Sequence, residues 1–331
     1  MVWRAYLKIL IICVILYWTC TGHAGTIVIT DKLGRAVTVK VPVKRAVDLI
    51  MYELVPALDI WGEVIGVSRW AEENCGVYKA IVYKKPSLKK RGVGAASDLN
   101  FEELISLNPD VIITWSFNRA TVSFLEKKRF KVIAVWPESL EELYEVMRMY
   151  GKLFGKEKRV EFVIGEMDKL FKLIQERVKK IPHNQVKKVL HLGGTPNRVS
   201  AAQTVINNII KIIGGTNPAE AINQRYIDVS AEKIVSWNPD VIFIWGSARY
   251  DEATLYNNSQ LRSVKAVKER KVYKLPRWST WSPRLAIIAL YMAMKVYPEI
   301  FNDLSFEKVA DEFYKKVFNV SFREVVNFEG Y

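Results

Sequence analysis

One fifteen-residue pattern occurs twice in this chain, and it limits the fold more than any other feature. Residues 101–115 and 231–245 align without a gap at an offset of 130 positions. Each copy opens with a short amphipathic stretch bearing a glutamate at its second position, Glu102 and Glu232. Each then reads Asn-Pro-Asp, at 108–110 and 238–240, and continues into an apolar run that ends in Trp115 or Trp245. Proline cannot continue a helix, and it pushes the residue before it out of helical geometry. An apolar run of this length suits a strand buried on both faces of a parallel sheet. The pattern therefore predicts helix, stop, buried strand, and its recurrence predicts two lobes of similar build.

The rest of the chain extends this reading. Ala46–Ile50, Val64–Val67, Val111–Thr114 and Val132–Val135 read as strands of a first lobe, with helices at 53–61, 102–107, 119–128 and 139–154. Lys188–Leu192, Val241–Trp245 and Lys271–Leu275 read as strands of a second, with helices near 203–213, at 231–237 and over 284–296. Alternating strands and helices predict parallel sheets covered on both faces. Between the halves, apolar residues from Val160 to Ile181 recur every three or four positions, an amphipathic helix of about six turns. The segment at 26–41 alternates apolar and polar residues around Gly34, a hairpin. The fold expected is α/β: two Rossmann-like lobes joined by one long helix, with a ligand cleft between them. The boundaries read 25–154, 155–182 for the helix, 183–299, and a helical tail at 300–331.

Residues 1–24 read as a secretory signal peptide. Arg4 and Lys8 precede an apolar run from Ile9 to Trp18, and Gly22-His23-Ala24 offers small residues for cleavage. The run is short for a membrane span, which needs about 20 apolar residues; retention as an anchor and lipidation at Cys20 are the other readings. Without the leader the chain keeps one cysteine, Cys75, and 47 basic against 35 acidic residues, a net charge of +12. An exported chain with no disulfide must rest on its cores. The basic balance favours anionic partners, but the lysines are spread along the chain and no nucleic-acid-binding motif occurs.

Taken in order, several short motifs resemble the periplasmic binding proteins that serve importers of iron–siderophore, haem and cobalamin, the class III substrate-binding proteins of ABC importers. These are Thr30-Asp31-Lys32-Leu33-Gly34-Arg35-Ala36-Val37, Lys44-Arg45-Ala46-Val47, Gly66-Val67-Ser68 and Arg91-Gly92-Val93-Gly94. After the two Asn-Pro-Asp units come Gly214-Gly215-Thr216-Asn217 and Trp281-Ser282-Pro283-Arg284. The resemblance implies a periplasmic or otherwise extracytoplasmic monomer that is not an enzyme. It further implies capture of a small-molecule metal chelate and its delivery to an ABC permease dimer in the inner membrane. It also implies that one acidic residue per lobe docks on permease arginines; the matching positions are Glu102 and Glu232. A carboxylate in the first turn of a helix is well placed to stay ionised.

Ligands of open parallel sheets bind beyond the C-terminal ends of the strands. Those ends carry Tyr52, Arg69, Trp70, Trp115, Trp136, Trp245, Arg277 and Trp278, with Trp281 close behind. Indole faces give broad, rigid contact and arginine pairs with carboxylate or catecholate oxygens. The tryptophans and Tyr52 are therefore expected as ligand walls, and Arg69 and Arg277 as anion-pairing groups. Only His183 and His191 remain after the leader, too few for a histidine-built metal site; His191 or Tyr52 could ligate a haem iron. No intrinsic cofactor is expected, since the ligand would carry its own metal. An iron chelate of the siderophore type is the first expectation, with cobalamin or haem as alternatives and a bare oxyanion such as molybdate also compatible. The competing class is an exported hydrolase or other enzyme on the same scaffold. No Gly-x-Ser-x-Gly, His-Glu-x-x-His or Gly-x-Gly-x-x-Gly sequence supports it.

Overall fold

The computed structural model describes residues 25–95 and 98–329; the leader read over 1–24 lies outside them. A hairpin comes first, β1 (Gly25–Thr30) paired antiparallel with β2 (Ala36–Val41). Lys32 N donates to Ala134 O at 2.9 Å, and so ties the hairpin turn to the first lobe.

The first lobe is built on a wholly parallel sheet. Its strands are β3 (Ala46–Asp48), β4 (Val64–Val67), β5 (Arg91–Gly92), β8 (Val111–Trp115) and β9 (Val132–Val135), in the order β5-β4-β3-β8-β9. A two-residue antiparallel pair, β6 (Gly94–Ala95) with β7 (Asp98–Leu99), follows β5. The helices are α1 (Leu54–Leu58), α2 (Arg69–Asn74), α3 (Gly76–Lys84), α4 (Phe101–Leu107), α5 (Arg119–Lys127) and α6 (Leu140–Phe154). α7 (Glu157–Val178) runs on to the second lobe as one 22-residue helix. Its stripe from Val160 to Val178 is buried, as its periodicity predicts.

The second lobe departs from the expected all-parallel sheet. β10 (Val189–Leu192), β13 (Val241–Ile244) and β14 (Val272–Lys274) are parallel. β11 (Arg198–Ser200) and β12 (Tyr226–Asp228) extend the edge antiparallel, giving β12-β11-β10-β13-β14. The turn after β10 is the reason: Gly193 N donates to Arg198 O at 2.7 Å, folding the chain straight back. Its helices are α8 (Val205–Ile212), α9 (Ala231–Trp237), α10 (Glu252–Tyr256), α11 (Lys265–Lys268) and α12 (Leu285–Val296). The tail, α13 (Phe306–Phe318) and α14 (Phe322–Val326), crosses back to the first lobe, packing on α1, α7 and α3. No helix among the described residues is long and apolar enough to cross a membrane.

The sequence repeat is a structural repeat, one copy in each sheet. Asn108 and Asn238 are the left-handed C-caps of α4 and α9, at φ 41° and 47°. Asparagine tolerates this conformation better than most side chains. Asp110 then accepts from the Lys44 and Arg45 amides, and Asp240 from the Lys188 amide, so each aspartate ties the start of its strand to the neighbouring one. Along the strands, Val111 and Ile113 join one core cluster and Ile112 another; Val241 and Phe243 join the first, and Ile242 a third. The first cluster is shared by both lobes along α7 and α12.

One buried ion cluster joins lobes and tail. Arg284, fully buried before α12, donates to Glu53 through Nε at 2.9 Å and also through Nη2. Its Nη1 donates to Glu329 of the tail at 2.6 Å. Arg284→Met should leave two carboxylates buried without their counter-charge. We expect a loss of about 3–5 kcal/mol in unfolding free energy, read by urea denaturation at neutral pH.

Candidate functional site

A cavity of about 410 Å³ opens between the lobes. Each wall follows from a local stop signal. At the end of β3 the buried Asp48 carboxylate accepts from the amides of Ile50 and Met51 at 3.0 and 2.8 Å, and from Tyr150 Oη at 3.0 Å. This turns the chain so that Ile50, Tyr52 and Glu53 line the cavity. Burial pushes the Asp48 carboxyl up to about 6. After β4, Ser68 caps α2 by accepting from Trp70 N at 3.2 Å, and Trp70 lies 45% exposed on the cavity wall. Cys75 caps α3 through its sulfur and donates its thiol to Glu53 at 3.5 Å.

Trp115 ends β8, Trp136 follows β9, and Trp281 enters from the second lobe. Their rings meet edge to face, with centroids 4.5 Å apart for Trp136 and Trp281 and 6.0 Å for Trp115 and Trp281. Trp115 Nε1 is buried with no hydrogen-bond partner among the described residues. Trp245, 40% exposed, follows β13 on the facing wall with Ser247, and Arg277 stands exposed at the rim. Gly246 lets the strands come together here: a Cβ would stand 2.2 Å from Pro276 O. At one edge the lobes touch directly. Glu138 pairs with Arg225, whose guanidinium lies 5.3 Å from the Trp136 ring, and Leu140 N donates to Asn208 Oδ1 at 3.0 Å.

The cavity thus brings together Tyr52, Trp70, Trp115, Trp136, Trp245, Arg277, Trp278 and Trp281. Three of the expected residues sit otherwise than at an open strand end. Arg69 is not at a free strand end; it opens α2, pairs with Asp98 at 3.4 Å and does not line the cavity. Trp278 touches the cavity but is a core residue, 4% exposed, stacked on Phe306 at 6.0 Å and donating Nε1 to Glu329 at 2.7 Å. His191 lies inside β10, 3% exposed and absent from the cavity wall, with Nδ1 2.8 Å from Ser200 Oγ. Reading strand ends alone missed Glu53, Cys75 and Arg284. Arg284 had left a signal, since a lone arginine opens the otherwise apolar Leu285–Leu290 run and so needs a buried partner. Glu102 and Glu232 are both exposed in the first turns of α4 and α9. Each helix runs back from the cleft end before its strand returns, so both glutamates sit toward that end.

The groups on this wall that commonly ligate metals are not free to do so. Burial raises the Tyr52 phenol and the Cys75 thiol well above their ordinary ranges, so both stay protonated, and Glu53 is held by Arg284. No group of three or more His, Cys, Asp or Glu side chains among the described residues could hold a metal ion.

A periplasmic binding protein family model matches residues 46–277. The molybdate-binding protein MolA of Haemophilus influenzae is 23% identical over 329 residues, covering 89% of this chain and 92% of that protein. The iron(3+)-hydroxamate-binding protein FhuD of Bacillus subtilis is 27% identical over 62% of this chain and 66% of its own length. The crystal structure of Helicobacter pylori CeuE in complex with Ni-His superposes with a TM-score of 0.79 at 27% identity, covering 92% of this chain and 99% of that one.

Burial also pushes the His191 imidazole down to about 4. A histidine depressed in the fold contributes stability above its unfolded value near 6.5, lost as pH falls toward 4. Unfolding measured at pH 7 and pH 4 should show wild type losing about 3 kcal/mol more than His191→Gln over that interval.

Proposed function

The chain belongs to the periplasmic binding protein family, the solute-binding components of ABC transporters, and from that premise we propose that its cargo is an anionic iron chelate of the siderophore type. The carrying observation is the chemistry of the cavity wall. It offers indole faces and one rim arginine, while Tyr52, Cys75 and Glu53 are protonated or engaged. A metal held here must bring its own ligands. Planar or bulky chelates lose water against indole rings and stack on them, and Arg277 meets their negative oxygens. The raised phenol of Tyr52 disfavours the phenolate that haem ligation would need, which sets haem below a complete chelate. FhuD, named for an iron–hydroxamate complex, supports the same reading.

A second reading, a bare oxyanion, rests on the unspent Trp115 Nε1 donor and on the likeness to the molybdate-binding MolA. A small oxyanion would need several donors, and this wall is mainly aromatic. The same experiment separates the two. Tryptophan fluorescence of the purified chain is titrated with ferric catecholate and hydroxamate complexes, haem, cobalamin and molybdate. We expect saturable one-to-one quenching by a ferric chelate, weakened about tenfold or more in Trp245→Ala. Saturation by molybdate alone selects the second reading, and catalytic turnover of any added compound rejects both.

Residues 1–24 act in this reading as the export signal, and the mature chain works as a monomer outside the cytoplasmic membrane. Glu102 and Glu232 dock the two lobes on the permease dimer, two equivalent contacts on one rigid body that reinforce each other. Reversing both charges with Glu102→Arg and Glu232→Arg should leave chelate binding intact and abolish cargo uptake in cells carrying the cognate permease. Uptake at the wild-type rate would remove the docking assignment.

A further inference from the structure

A second cavity, about 860 Å³ against about 410 Å³ for the cleft, lies on the first lobe. It stands at the far end of that lobe. α1 begins beside the cleft residue Glu53 and ends at Asp59, which lines this second cavity with Trp61, the latter shortly before β4 begins. Its wall joins chain segments that are distant in sequence: the ends of α3 and α13 and the start of α7.

The composition of the wall differs from that of the chain. Fifteen residues line it, six of them cationic (Lys84, Lys85, Lys156, Arg159, Lys315 and Lys316) and one acidic, Asp59. The chain as a whole has 49 basic and 35 acidic residues, so a general basic character does not produce this ratio. The floor is apolar, with Leu58, Phe318 and Val320 buried and Trp61 only 9% exposed. Three of the cations are already engaged: Lys84 with Glu324, Lys315 with Asp311 at 2.6 Å, and Lys316 with Glu166 at 3.4 Å. Lys85, Lys156 and Arg159 have no carboxylate at ion-pair distance among the described residues. Arg159 instead donates to the main-chain oxygens of Ala57, Val317 and Lys316 at 2.8, 2.7 and 3.1 Å. These neutral acceptors fix the guanidinium in place without cancelling its charge.

Asp59 and the carbonyl ends of α3 and α13 offset part of this charge. A surplus on the order of one to two positive charges remains. A phosphate monoester carries about −1.5 to −2 at neutral pH. We propose that this cavity is a second binding site, for a phosphorylated small molecule with an apolar or planar body. Its phosphate meets Lys85, Lys156 and Arg159 at the rim, and its body rests on the partly exposed Ile81 and Leu88 beside Trp61. A free nucleotide-like compound and a phospholipid with a phosphomonoester head share this chemistry. The site stands apart from the cargo cleft and does not depend on what the cleft carries.

The test uses two probes on the purified chain: adenosine monophosphate by isothermal titration, and phosphatidylcholine vesicles containing phosphatidic acid by co-sedimentation. Lys85→Glu/Lys156→Glu removes the rim charges. Arg262→Glu/Lys268→Glu makes the same change of net charge on the exposed surface of the second lobe. Saturable nucleotide binding below about 1 mM is expected, weakened at least about tenfold by the first pair and unchanged by the second. Vesicle binding with the same pattern, without nucleotide binding, keeps the site and assigns it to a lipid head group. Absence of saturable binding to either probe overturns the proposal, as does binding retained by the first pair or lost equally by both. Should charge reversal lower the melting temperature, the neutral pair Lys85→Gln/Lys156→Gln gives the same reading.

Discussion

The guanidinium of Arg284, clamped between Glu53 and Glu329, is the contact on which the arrangement of the molecule turns. It has no exposed surface, and neither carboxylate is more than marginally exposed. Taking three charges out of water costs several kcal/mol per ion and is tolerated only when every donor and acceptor is matched. Here the matching is extensive. Tyr314 Oη lies near one Arg284 nitrogen, Trp278 Nε1 and Gly76 N donate to Glu329, and the Cys75 thiol donates to Glu53. Glu53 belongs to the first lobe, Arg284 leads into α12 and Glu329 follows α14, so one cluster fixes the register of three chain segments. Because Glu53 and Cys75 also line the cleft, the cluster backs the cavity between the lobes. This explains why the wall offers no ready metal ligand: its acidic and thiol groups are committed to holding the protein together.

The repeat at 101–115 and 231–245 was readable because its signals are local. Asparagine before proline stops a helix, aspartate ties the next strand to its neighbour, and an apolar run fills a sheet. The strand Val64–Val67 and the helix Ala231–Trp237 have the limits their sequences predict. The failures are equally physical. β11 and β12 are three residues long and leave no periodic pattern to read. Ser68 caps a helix that begins at Arg69, and the arginine pairs with Asp98 and lies outside the cavity lining. Trp278 has the same local context as its neighbours, yet the returning tail covers it. Pairings such as Glu53 with Arg284, 231 positions apart, are properties of the folded chain and have no local trace beyond a stray arginine.

The two lobes are joined at several places. A single apolar cluster runs through both of them along α7 and α12, and Glu138 with Arg225 and Leu140 with Asn208 bridge them at the cavity edge. Trp70 and Trp245, each close to half exposed on the cavity wall, are side chains whose freedom a molecule packed against them would restrict.

The path of the tail has a consequence for the order in which the protein is assembled. α13 and α14 lie back on the lobe made first, and Glu329 supplies one jaw of the clamp on Arg284. During synthesis the first lobe can condense early, but this jaw of the clamp is missing until the chain has been made through to Glu329. Closure of the clamp is thus a late event in the life of each molecule, coupled to the arrival of a segment that lies outside the cleft lining.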